Sequence, residues 1–96
     1  MTPVTILLNR GSGRVRASRD FGATVADLFR ANGMEPAVEL ISGGECMARS
    51  RAISERGDEL LVVGGGDGTV SAAASALVGT ETMLGILPLG TLNHFA

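Results

Sequence analysis

The chain has 96 residues, eight basic and ten acidic, with a net charge of −2. That length suits one small domain, and 45% apolar content is enough for a core and argues against disorder. The slightly acidic balance speaks against a nucleic-acid binder. With no lysine among the basic residues, the chain is not an ordinary P-loop NTPase, whose lysine must reach the terminal phosphates.

The start, MTPVTILLNR, has no basic region ahead of its apolar run and reaches Asn9 too soon for a signal peptide. Val4–Leu8 is β-branched and apolar and predicts a first strand. A loop with Gly11, Ser12 and Gly13 follows. Thr24 with Asp27 marks a helix start, Phe21, Val25, Leu28 and Phe29 fall on one helical face, and Gly33 can end that helix. Ala37–Ile41 predicts a second strand, and Glu45–Arg56 a weaker helix closed by Gly57. Glu59–Val63 predicts a third strand, continuously apolar from Leu60 as a strand covered on both faces should be. Thr69–Val78 predicts a third long helix with Val70, Ala73, Ala74, Leu77 and Val78 inward. Met83–Leu87 is a fourth strand, stopped by Pro88. Aromatics are limited to three Phe, so Met34, Met47 and Met83 are expected as core filler. Cys46 stands alone, which excludes an internal disulfide and fits a small buried residue in a cytoplasmic protein. The least polar stretch, Val70–Leu89, carries Glu81, Pro88 and several hydroxyls and is a poor membrane span, so any membrane contact is expected to be peripheral.

The β-α-β-α-β-α-β alternation implies a parallel, doubly wound, Rossmann-like α/β sheet with right-handed crossovers. Ligands in such sheets bind beyond the carboxyl ends of the strands. Three polar, glycine-rich segments lie there: Asn9–Gly13, Gly64–Thr69 and Pro88–Asn93. In GGGDGT the glycines let backbone N–H groups approach an anion, and the following helix start adds its dipole and free donors. The spacing is not the GxGxxG dinucleotide fingerprint. A carboxylate, Asp67, inside a phosphate loop repels the ligand unless a divalent cation intervenes or it takes a proton from an attacking hydroxyl. Both alternatives point to phosphoryl transfer. The bland alternative is Asp67 as a helix N-cap.

GGDGT at Gly65–Thr69, NxxSG at Asn9–Gly13 and PxGTxN at Pro88–Asn93, in this order and spacing, resemble the N-terminal part of the diacylglycerol kinase catalytic domain family. That family includes bacterial lipid kinases, sphingosine kinases and ceramide kinases and is distantly similar to NAD kinase. The resemblance covers nearly the whole chain. It implies ATP-dependent phosphorylation of a lipid hydroxyl with Mg2+, Asp67 being the catalytic candidate and holding the metal, if at all, through water. It places Asn9, Arg10, Gly11, Ser12 and Gly13 in a first nucleotide-contacting loop and Ser42 near the nucleotide. Gly65, Gly66, Gly68 and Thr69 join Asp67 at the phosphates, and Gly90, Thr91 and Asn93 close the site. It also implies a second, β-rich domain that these 96 residues do not encode, and an apolar end at Leu92 and Phe95 prone to self-association.

Three departures from the family pattern involve four positions. Arg10 replaces a proline, Ser71 and Ala72 replace Asn-Glu, and His94 replaces an aspartate. Arg10, Arg14, Arg16 and Arg19 form a basic run without an acid, suited to nucleotide phosphates, anionic lipid head groups or plain solvation. The alternatives to a lipid kinase are an NAD kinase-like enzyme of a soluble substrate and a catalytically silent nucleotide-binding module.

Overall fold

In the computed structural model, which describes residues 2–89, the chain opens with strand β1 (Thr2–Asn9). Val4, Ile6 and Leu8 are buried in one cluster and Leu7 in another, so β1 is covered on both faces. Helices α1 (Gly13–Ala17) and α2 (Phe21–Ala31) follow, then β2 (Met34–Ile41) and a 3-10 turn (Gly43–Glu45) that runs into α3 (Cys46–Glu55). The remainder is β3 (Leu60–Gly65), α4 (Asp67–Leu77) and β4 (Met83–Pro88).

All strand pairs are parallel, in the order β2-β1-β3-β4. Val15 of α1 and Phe21, Val25 and Phe29 of α2 pack with Val4, Ile6, Leu8 and Val62. Cys46 and Ile53 of α3 and Ala73 and Leu77 of α4 pack with Leu7, Leu61 and Val63 on the opposite face. The fold is therefore the three-layer, doubly wound α/β sheet expected from the alternation. After β1 the chain crosses to β2 on one side and then returns past β1 to β3 on the other. That reversal is the switch point where such sheets open a crevice. Gly33, Gly57 and Gly79 follow α2, α3 and α4 with φ of 80°, 92° and 76°, the first two being the helix stops expected from the sequence.

Several boundaries and faces differ from expectation. Helix α1 is additional. Helix α2 starts at Phe21, a turn before the Thr24 signal, because Phe21, Val25 and Phe29 together form the stripe that docks it. Leu28, placed on that stripe by the sequence, is 61% exposed. Strand β2 begins at Met34 because it pairs with β1 along its whole length, and its edge position tolerates Pro36. Pro88 ends β4 from within the strand, again on an edge. Helix α4 starts two residues early, which rotates its face: Thr69, Ala73, Ala76 and Leu77 are buried, Val70 is half-buried, and Ala74 and Val78 are exposed. Met34 packs against the α2-side cluster, whereas Met47 and Met83 are exposed and not core filler.

Candidate functional site

Register brings the carboxyl ends of the strands to one edge. Asn9 pairs with Ile41, Leu8 with Gly64, and Gly65 with Pro88. The loops after β1, β2 and β3 leave the sheet side by side there.

The glycines of GGGDGT divide into two groups. Gly64 and Gly65 belong to β3 and are buried. A Cβ on Gly65 would lie 2.8 Å from Thr69 Cβ and 2.9 Å from its Cγ2, so only glycine lets the first turn of α4 close onto the strand. Gly66, the N-cap of α4, and Gly68 have nothing within 4 Å of an added Cβ, and neither has a positive φ. The protein itself would accept a side chain at both. Intrahelical bonding begins with the Val70 N–H donating to the Gly66 carbonyl at 3.0 Å, so the N–H groups of Asp67, Gly68 and Thr69 precede the ladder. Free donors, open space and the positive end of an 11-residue helix coincide at this turn.

Asp67 is the first residue of α4, not its cap; the cap is Gly66 and makes no side-chain bond. Its carboxylate is exposed and has no hydrogen-bond or ion-pair partner among the described residues. The capping role weighed for Asp67 is thus not the one observed.

Asn9 closes the gap between the first and third loops. Its Oδ1 accepts the Gly11 N–H at 2.8 Å, and its Nδ2 donates to Thr69 Oγ1 at 2.8 Å. Thr69 is held from below as well, where the Cys46 thiol donates to its carbonyl at 3.4 Å. Cys46 is the buried, unpaired residue expected, and burial pushes its thiol pKa up. Gly43, in the second loop, lies against this bridge: its added Cβ would be 3.3 Å from Asn9 Nδ2 and 4.0 Å from Thr69 Oγ1.

The other candidates have identifiable partners. Ser42 and Glu45 form a capping box, with the Glu45 carboxylate accepting the Ser42 N–H at 2.8 Å. Those hydrogen bonds from Ser42, with Arg10 adding to them, hold the Glu45 carboxyl below its usual range. The Arg10 backbone N–H donates to the Ile41 carbonyl at 2.8 Å, and its guanidinium pairs with Glu45 at 3.4 Å. Ser12 Oγ donates to the Leu89 carbonyl at 3.2 Å, tying the first loop to the end of β4. Gly11 and Gly13 are exposed beside it. Gly90, Thr91, Asn93 and His94 lie outside the described residues, as do Leu92 and Phe95.

Sequence reasoning passed over Gly43 and Glu45. The signal was present in SGGE, Ser42 to Glu45, which has capping-box spacing. A cavity of about 950 Å³ lies at the opposite, amino edge of the sheet, between Val4, Glu35, Pro36, Leu60 and Met83. Its Arg56, Asp58 and Thr5 are bonded to one another, and the amino edge is not where doubly wound sheets take ligands. The described residues contain no cluster of three metal-ligating side chains. One carboxylate at a phosphate loop nevertheless suits magnesium, which keeps several waters and leans on substrate phosphates.

Fold and loop chemistry define a doubly wound α/β domain with a glycine-rich strand-to-helix turn and a free carboxylate at its switch point. More particularly, residues 3–96 match the diacylglycerol kinase catalytic domain, and the chain belongs to that family. It is 38% identical over 95 residues to a diacylglycerol kinase of Mycobacterium tuberculosis, covering 97% of this chain and 30% of that protein. It is 33% identical over 99 residues to a Citrobacter koseri protein named "Probable lipid kinase YegS-like", covering 98% of this chain and 32% of that protein. The crystal structure of a diacylglycerol kinase from Bacillus anthracis superposes with a TM-score of 0.67 at 24% identity, over 97% of this chain and 35% of that one, and supports the fold. The chain thus spans about a third of the length of these relatives.

Proposed function

We propose that these residues form the nucleotide-binding wall of an ATP-dependent lipid kinase that phosphorylates a hydroxyl of diacylglycerol or a related lipid. The observation carrying this reading is the turn at Gly66–Thr69, where free N–H groups, space unclaimed by the described residues and a carboxylate with no partner among them meet at one helix start. The N–H groups of Asp67, Gly68 and Thr69 would receive the phosphate chain of ATP, where charge builds during transfer. The loops held by Asn9, Arg10, Ser12 and Ser42 would shape the remaining nucleotide contacts, with Gly90, Thr91 and Asn93 contributing from the end of β4. Asp67 would take the proton of the lipid hydroxyl as its oxygen bonds to the γ-phosphorus and the bond from that phosphorus to the β–γ bridging oxygen breaks, releasing ADP, or it would hold a hydrated magnesium. Magnesium, when bound, would neutralise phosphate charge. The lipid wall and further acidic groups would come from a second, β-rich domain.

Arg14, Arg16 and Arg19 are exposed and make no ion pair among the described residues. They sit on and just after α1, which leaves the same sheet edge as the site. We assign them to peripheral contact with anionic lipid at the cytoplasmic membrane surface. No described helix is long and apolar enough to cross a membrane. Exposed Met83 and Ile86 on the edge strand β4 offer a surface for self-association.

Calorimetry with ATP, with and without magnesium, tests the nucleotide site on this chain. A lipid-phosphorylation assay on the full-length gene product tests the reaction. Binding of ATP without lipid turnover would favour the silent module, and turnover of a soluble substrate alone would favour the NAD kinase-like alternative.

A further inference from the structure

Asn9 holds its two neighbours in only one orientation. The Gly11 backbone N–H can only donate, so the atom facing it must be Oδ1, and the atom facing Thr69 must be Nδ2. The amide therefore donates to Thr69 Oγ1, and Thr69 cannot return its own proton to Asn9. That proton has no acceptor among the described residues, where the side-chain hydrogen bonds that reach Thr69 are the Asn9 amide on its hydroxyl oxygen and the Cys46 thiol on its carbonyl. Glycines border the hydroxyl: a Cβ added at Gly65 would stand 3.0 Å from Oγ1, and one at Gly43 4.0 Å. The hydroxyl of Thr69, a residue only 6% exposed, thus sits one turn-residue beyond the free N–H of Gly68, with its oxygen accepting from Asn9 and its hydrogen without a described acceptor.

We propose that Asn9 is a positioning residue that sets the polarity of Thr69. By filling the acceptor side of Oγ1, it leaves the hydroxyl as a committed donor for an anionic phosphoryl oxygen at the α4 start. This deepens the nucleotide reading above and rests on it.

Asn9→Asp is the discriminating change. Aspartate can still accept the Gly11 N–H with one oxygen, and its other oxygen accepts the Thr69 O–H. Both contacts survive while the hydroxyl reverses and is lost to the ligand. The test is a double-mutant cycle read by ADP affinity in calorimetry, using wild type, Asn9→Asp, Thr69→Val and the double variant, with thermal melts as the fold check. Asn9→Asp and Thr69→Val are each expected to weaken ADP by about tenfold or more, the loss of one hydrogen bond to a charged group. The double variant should lose no more than about twofold beyond Asn9→Asp, because the donor is already gone. Thr69→Ser, which keeps the hydroxyl, should bind within about threefold of wild type.

Near-wild-type affinity of Asn9→Asp overturns the assignment. So does full multiplication of the two losses, which would mean that the new charge simply repels phosphate. Should a variant melt early, the Asn9 side-chain amide in the wild-type chain decides: exchange with solvent as fast as a free asparagine refutes the bridge. Absence of ADP binding by the wild type sinks the nucleotide reading and the Asn9 role together, and is seen before any variant is made.

Discussion

Gly65 and Gly68, three residues apart at the passage from β3 to α4, should respond in opposite ways to the same methyl group. Gly68 lies in the first turn of α4 without a positive φ, and an alanine Cβ there meets nothing within 4 Å. Replacing glycine by alanine at a compatible position stabilises by about 0.4–1 kcal/mol, mainly by restricting the unfolded chain. For a domain of this size that raises Tm by roughly 2–8 °C. At Gly65 the methyl would lie 2.8–3.0 Å from Thr69 Cβ, Cγ2 and Oγ1, and helix and strand would have to separate. Overpacking of that kind costs about 1–3 kcal/mol. Thermal melts by circular dichroism read the stability and calorimetry with ATP reads the site. Gly68→Ala should melt higher and bind ATP more weakly, since its methyl fills space that the protein leaves to the ligand. Gly65→Ala should melt lower. A Gly68→Ala variant with unchanged ATP affinity would refute the idea that this glycine clears room for phosphate. Equal destabilisation by both substitutions would refute the division of the loop.

Asp67→Asn should leave Tm within a few degrees, since the carboxylate has no partner among the described residues and its favourable placement at the helix start contributes about 0.3–1 kcal/mol at most. The same change in the full-length protein should remove most of kcat for lipid phosphorylation, and near-normal turnover would exclude a catalytic Asp67. Substituting Arg14, Arg16 and Arg19 together by Gln should lower partitioning onto vesicles containing phosphatidylserine by up to about a hundredfold, at about 1 kcal/mol per arginine, and leave ATP affinity unchanged. Sedimentation with neutral and anionic vesicles measures it. Arg56 donates two hydrogen bonds that hold the Asp58 carboxyl below its usual range, with Thr5 adding to them. The folded pKa lies below the unfolded one, so this contribution is present at neutral pH and disappears as pH falls through the folded value, below about 4. Arg56→Gln should therefore cost less than about 1 kcal/mol at pH 7, given the pair's exposure, and the difference from wild type should shrink as pH falls below about 4 in parallel urea titrations.

The sheet was legible because its signals are redundant. The apolar runs of β1 and β3 are too continuous for one-sided strands, and each long helix ends at a glycine that the backbone places at positive φ. Helix faces were less legible. The face of α4 is set by where its first turn can seat, and that depends on the missing side chain of Gly65 in a different element. A pattern of Val and Ala at helical spacing does not encode that contact, so Ala74 and Val78 were assigned inward and stand in solvent. Met83 misled for a related reason. Its apolarity suits a core, but β4 is an edge strand and leaves it 70% exposed.

The loop residues carry a further lesson about what a motif can say. GGGDGT reads as one phosphate-binding unit, yet its members answer to different constraints. Gly65 is required by the packing of α4 on β3, whereas Gly66 and Gly68 are required by nothing among the described residues. Asn9 and Ser12 read as ligand contacts, yet they have protein partners, Thr69 and Leu89, and fix the loops relative to one another. Asp67 alone among the polar candidates of the first and third loops combines exposure with no described partner. A fold selected for stability alone would not leave two open glycines and a bare carboxylate at the start of a helix, where alanine and a capping side chain would each add stability. The residues least explained by the fold are therefore the ones on which the nucleotide reading rests.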